Sequence, residues 1–138
     1  MTTAPTLEVL ENLIETVIEP AAAEVDATGA FPRASIDALF AAGFGGLISS
    51  PEVGGAGASF ADAAAIVRRL GAACGSTAMV FTMHLSGTAG IEQNGDDATR
   101  RAIAAGAHLT TLAFSETGTF GYICGLHPAM KGTVEVTR

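Results

Sequence analysis

Leu7, Leu10, Ile14, Val17 and Ile18 recur at helical spacing, and the pattern predicts an amphipathic helix at the start of the chain. Thr6 stands at its N-cap position, with Glu8 and Glu11 in the first turn, where the helix dipole favours negative charge. Pro20 interrupts this helix, which is expected to kink and continue through Ala21 to Val25 before a turn over Asp26 to Ala30. Pro32 fits the first turn of a second helix with Ile36, Leu39 and Phe40 on its apolar face and Gly43 as its stop. Ser59 reads as the N-cap of a third, from Phe60 to about Cys74, with Asp62 in its first turn and Arg68 and Arg69 near its end. Ser76 reads as the cap of a fourth, from Thr77 to about Gln93. Its apolar residues (Ala78, Met79, Val80, Phe81, Met83, Leu85, Ala89 and Ile91) run nearly all round, as in a helix buried within a bundle. Asn94-Gly95 ends it, and Asp96 caps a short fifth helix from Asp97 to Ala105, stopped by Gly106.

Between the second and third helices lies Phe44-Gly45-Gly46-Leu47-Ile48-Ser49-Ser50-Pro51-Glu52-Val53-Gly54-Gly55-Ala56-Gly57-Ala58-Ser59-Phe60. Glycine tolerates positive φ and close backbone approach, and proline fixes φ. A flexible linker would be richer in serine and poorer in Leu, Ile and Phe, so a shaped, ordered turn is expected. After residue 107 the texture changes. His108 to Ser115 is β-rich and partly alternating, which predicts a first strand.

The order of these features resembles the N-terminal helical domain of the acyl-CoA dehydrogenase family. Phe31-Pro32 opens a helix, Ala41-Ala42-Gly43-Phe44 closes it, and Pro51-Glu52-Val53-Gly54-Gly55-Ala56-Gly57 resembles a Pro-Glu-x-x-Gly-Gly-x-Gly turn, one residue shorter between Glu52 and Gly54. The resemblance implies an all-α bundle of about five helices over residues 1–106. The first strands of a middle β-barrel domain would follow over 107–138, incomplete. Family members run to nearly three times this length, and a later helical domain supplies the catalytic glutamate and most of the FAD site. The chain therefore reads as an N-terminal fragment that does not turn over an acyl-CoA alone, and no residue is assigned the base.

Ala113-Phe114-Ser115-Glu116-Thr117-Gly118-Thr119 resembles the family's second signature, a strand ending in Thr-Glu-Pro-x-x-Gly-Ser. The resemblance makes Phe114 and Ser115 flavin contacts, with Thr119 standing in for the motif's serine; an ordinary strand-to-loop exit is the plain alternative. A strand end offers backbone N–H and C=O groups at fixed spacing, and a hydroxyl can donate or accept at the flavin's polar edge. Beyond Thr119 the match fails, and divergence or a changed reading frame both explain residues 120–138. Phe81 and His84, on the fourth helix, are candidates for the substrate pocket; the alternative for His84 is a core histidine with a satisfied hydrogen bond.

Composition narrows the partners. With 138 residues, 49% of them hydrophobic, one domain can bury a sizeable core. The formal charge is −7 and Lys131 is the single lysine, so nucleic acid and anionic membranes are poor partners. No apolar run reaches the roughly 20 residues of a membrane helix. The start shows no secretory signal, which points to the cytoplasm. Cys74 and Cys124 lack metal-ligand spacing, and Cys124 with His127 lacks a second pair, so no metal is expected. No Gly-x-Gly-x-x-Gly follows a strand; in the family FAD is held largely at a subunit interface, which implies a homo-oligomer. Three functions stay open: acyl-CoA α,β-dehydrogenation with FAD, flavin-dependent monooxygenation on the same fold, and a non-catalytic helical interaction domain.

Overall fold

The computed structural model describes residues 5–110, 118–123 and 131–136. The elements run α1 (Leu7–Leu13), a π turn (Ile14–Ile18), α2 (Glu19–Thr28), α3 (Arg33–Ala41), α4 (Phe60–Ala73), α5 (Gly75–Asn94), α6 (Asp97–Ala104), β1 (Gly118–Ile123) and β2 (Lys131–Val136). Since α1, the π turn and α2 follow one another without a break, the helical region is the five-helix arrangement that the sequence predicts.

The first helix passes Pro20 by widening. Proline has no N–H and its ring crowds the preceding turn. The π turn stands immediately before it, and the Glu19 amide bonds back to the Ile14 carbonyl. Leu10, Ile14 and Ile18 are fully buried at a four-residue interval, whereas Leu7 is 63% exposed and Val17 only partly covered. The helix outlasts its apolar pattern, continuing past the expected end at Val25 to Thr28. Its stop is Gly29 in the left-handed region, φ 64°.

Two cap positions divide along locality. Ser59 and Asp62 form a reciprocal capping box: the Asp62 amide donates to Ser59 Oγ at 3.2 Å, and the Ser59 amide donates to Asp62 Oδ2 at 3.2 Å. The N-cap of α5, by contrast, is Cys74 rather than Ser76. Cys74 adopts an extended conformation, and its Sγ accepts from the Thr77 amide at 3.5 Å and the Thr77 hydroxyl at 3.2 Å. Sulfur is a weak acceptor. Cys74 is 6% exposed, so the bundle buries the turn between α4 and α5 and fixes the start there.

The glycine-rich segment is an ordered double-backed turn. Residues 46–50 face residues 55–58 through four backbone bonds: Gly55 to Ser50, Ala56 to Gly46, Gly57 to Ser49 and Ala58 to Leu47, at 2.9–3.0 Å. Gly54 takes φ 95°, which a side chain disfavours. Gly55 has ordinary φ but lies against the Ser49 carbonyl, with no room for a Cβ. Phe44 and Leu47 enter the core with Ile36, Leu39, Ile66, Leu70, Phe81 and Leu85. Burying each such side chain contributes about 1.5–3 kcal/mol.

Residues 108–110 are not in a strand, and 111–117 lie outside the described residues. The strand expected over 108–115 is thus not found in its first three residues. The described strands lie later, where β1 pairs antiparallel with β2, Thr119 opposite Glu135.

Three glycine substitutions test this picture by urea denaturation. Gly54→Val should destabilise by about 1–3 kcal/mol through its φ. Gly55→Ala should cost about 1–3 kcal/mol because a methyl displaces the Ser49 backbone. Gly90→Ala, an exposed helical site where a Cβ meets nothing, should stabilise by about 0.5–1 kcal/mol.

Candidate functional site

His84 is fully buried midway along α5. Its Nε2 lies 2.7 Å from the Gly45 carbonyl of the glycine-rich turn, and the Thr110 amide donates to its Nδ1 at 3.2 Å. A carbonyl only accepts and an amide N–H only donates, so the pair fixes the neutral tautomer with its proton on Nε2. The Phe40 ring of α3 packs on the imidazole at a centroid distance of 4.8 Å. Burial lowers the His84 pKa; the bond to the Gly45 carbonyl opposes this, and the charge of His108 adds to the lowering. The Thr110 amide acts with burial, because a proton on Nδ1 would face that N–H. The histidine therefore takes the core role, with both nitrogens on backbone groups. Phe81 is likewise fully buried, its ring 6.3 Å from the imidazole.

A groove lies between α4 and α5. It holds about 260 Å³ and is lined by Phe60, Ala63, Ala64, Val67, Thr82, Leu85 and Ser86. Two of these carry hydroxyls, and both turn away from the groove's role as a polar surface. Thr82 Oγ1 donates to the Ala78 carbonyl at 2.8 Å and Ser86 Oγ to the Thr82 carbonyl at 2.9 Å. The hydroxyls are satisfied within their own helix, and what remains suits an alkyl chain. Phe60, 71% exposed, stands at one end.

The other candidates are spread out. Thr119 is exposed on β1, whereas Phe114, Ser115, Cys124 and His127 lie outside the described residues. Arg68 is exposed, as a solvated helix end would be. Arg69 forms a two-pronged pair with Glu11: Nε to Oε1 at 2.7 Å and Nη2 to Oε2 at 2.6 Å, tying α4 to α1. Arg100 joins Glu92 of α5 to Asp97 of α6, each at 3.0 Å. Sequence reasoning missed both links; a carboxylate and an arginine 58 positions apart carry no local signal. Among the described residues no group of His, Cys, Asp or Glu could hold a metal ion, and no helix is long and apolar enough to cross a membrane.

A mostly helical chain with a shaped glycine turn, an apolar α4–α5 groove and a β hairpin at its end defines a helical domain of a larger fold class. The chain belongs to the acyl-CoA dehydrogenase family: the model of the acyl-CoA dehydrogenase N-terminal domain matches residues 6–107. It is similar to a 3-sulfinopropanoyl-CoA desulfinase of Cupriavidus necator, 30% identical over 99 residues, covering 72% of this chain and 25% of that protein. It is also similar to a short-chain-specific acyl-CoA dehydrogenase of Clostridium acetobutylicum, 30% identical over 79 residues, covering 57% of this chain and 21% of that protein. The chain thus spans about a quarter of the length of these relatives. No solved structure matches it.

Because the native state holds His84 neutral, the unfolded chain binds the extra proton first. Stability is full above the ordinary histidine value of 6.5 and falls as pH drops below it towards the lowered native value. Asp62 and Asp96, both lowered by hydrogen bonds at their caps, contribute only in a more acid window, beneath 3.8. Urea midpoints measured from about pH 8 down to about pH 5 should therefore decline. A midpoint that stays flat across that range contradicts the neutral tautomer.

Proposed function

We propose that this chain is the substrate-side helical domain of an FAD-dependent acyl-CoA dehydrogenase-like oxidoreductase, and that the α4–α5 groove receives the acyl chain of a CoA thioester. The observation that carries this reading is the groove itself: an apolar trough whose hydroxyls are spent on their own helix, on a domain of this family. Residues 1–106 form that domain, and 107–138 begin the β-domain. Both relatives are named for a CoA thioester, which supports the substrate class.

For the flavin, the family resemblance supplies Phe114 and Ser115, and the exposed Thr119 hydroxyl on β1 fits a contact to a polar ring edge. The chemistry that FAD supplies when bound is hydride acceptance. The residues of this chain bind and orient: the groove takes the chain and excludes water, and the strand end meets the ring. Proton abstraction from the α-carbon needs a positioned carboxylate, and none in this chain is assigned that task. Homo-oligomer formation, which would complete the FAD site, belongs to the same proposal.

A second reading has its own support in the desulfinase relative. Loss of the sulfinate group from 3-sulfinopropanoyl-CoA, with no acyl-CoA-dependent bleaching of the flavin, would favour it over dehydrogenation.

The groove is tested with a fatty acyl-CoA carrying a diazirine at its far end. Photolysis should label Ala64, Val67 or Leu85, octanoyl-CoA should compete, and Ala64→Phe should cut labelling by about tenfold or more, as a filled pocket requires. Labelling that neither competitor nor substitution alters contradicts the assignment.

A further inference from the structure

We propose that His84 is a positioning residue that pins the chain's exit from the helical region onto α5, and that acid releases this pin. Three separate segments meet at its ring. The glycine-rich turn presents the Gly45 carbonyl to Nε2 at 2.7 Å, α3 presents the Phe40 ring, and the chain after α6 presents the Thr110 amide to Nδ1 at 3.2 Å. Close packing accompanies the hydrogen bonds. A Cβ on Gly87, three residues beyond His84, would meet the Thr110 side chain at 2.9 Å, so Thr110 lies directly against the helix. A Cβ on Gly45 would likewise meet Gly106 Cα and the Phe40 ring at 3.2 Å. Thr110 itself is 8% exposed.

The two bonds respond oppositely to a proton. The Gly45 carbonyl accepts from Nε2–H in either state. Nδ1 can accept from Thr110 only while it carries no proton; once protonated, it sets one N–H against another. Acid thus breaks the link to Thr110 and keeps the link to the turn. The ionisable group that bears on the ring from the exit segment is His108, whose charge opposes protonation. From α3 the ring meets Phe40, and from the turn a carbonyl, neither of them ionisable. His84 lies four residues before Thr88, whose buried Oγ1 has no partner among the described residues, and Glu92 lies a further turn away, engaged with Arg100.

The consequence for a flavin rests on the function proposed above, since Phe114 and Ser115 follow Thr110 in the chain by four and five residues; the pin itself does not. Two conservative variants separate its halves. Asn places an amide oxygen near the Nδ1 position and preserves the acceptor for Thr110. Gln reaches the Nε2 position with an N–H and preserves only the donor to Gly45. The test is hydrogen exchange at the Thr110 amide in the 138-residue protein, with Leu70 and Phe81 amides reporting the core. His84→Gln should lose about tenfold of the Thr110 protection, the worth of one local hydrogen bond, and His84→Asn should retain it. In the wild type, acidification should remove Thr110 protection with the midpoint of the His84 ring, followed by its own resonances, while core protection persists. His84→Asn should show no such midpoint. Equal Thr110 exchange in the two variants, or loss of Thr110 protection only together with the core, would overturn the proposal. If both variants unfold, the wild-type titration decides alone. Absence of competed acyl-CoA labelling in the α4–α5 groove, with Thr110 behaving as described, would sink the proposed function and leave the pin standing.

Discussion

A fully buried imidazole with backbone groups on both nitrogens is the constraint on which this domain turns. Burying a ring nitrogen without a partner is costly, so His84 can occupy the core only if a carbonyl and an amide arrive from elsewhere in the chain. The glycine-rich turn supplies the first and the exit segment supplies the second. Each must come close, which explains small residues at the meeting points: Gly45 beside Phe40 and Gly106, Gly46 beside the Ala104 backbone, and Gly87 beside Thr110. The turn's glycines therefore serve two needs. Gly54 supplies a backbone angle, whereas Gly45 and Gly46 supply proximity.

The same helix divides its labour by face. One face of α5 carries Phe81, His84 and Thr88 into the junction, all fully buried. Another carries Thr82, Leu85 and Ser86 to the groove with α4. That division explains why the helix reads as apolar nearly all round. Neither face is free, although Met79, at 64% exposure, shows that part of the helix surface remains open. The arrangement gives the proposed acyl groove a rigid floor, since the helix that lines it is fixed from behind by hydrogen bonds to two other segments.

Local features of the fold were legible in the sequence, and non-local ones were not. The Ser59–Asp62 box, the Asp96 cap and the Gly43 stop depend on residues within a turn of one another, and each stands where the pattern placed it. The ordered glycine turn followed from residue types alone. The α5 start did not, because burial of Cys74 outranked the better capping chemistry of Ser76. The extension of α2 to Thr28 was hidden because its last residues are exposed and carry no apolar signal. As for the site, His84 stood out by its placement on an apolar helix, and its satisfied core role was one of the two readings that the sequence left open. Its partners could not be read, since they are backbone groups and have no side-chain identity to betray them.

The most direct measurement is of the two hydrogen bonds themselves, by couplings transmitted through them in isotope-labelled protein near neutral pH. The account predicts a neutral His84 ring protonated at Nε2, coupled from Nε2 to the Gly45 carbonyl carbon and from Nδ1 to the Thr110 amide nitrogen. A ring protonated at Nδ1, or one with neither coupling, would contradict it.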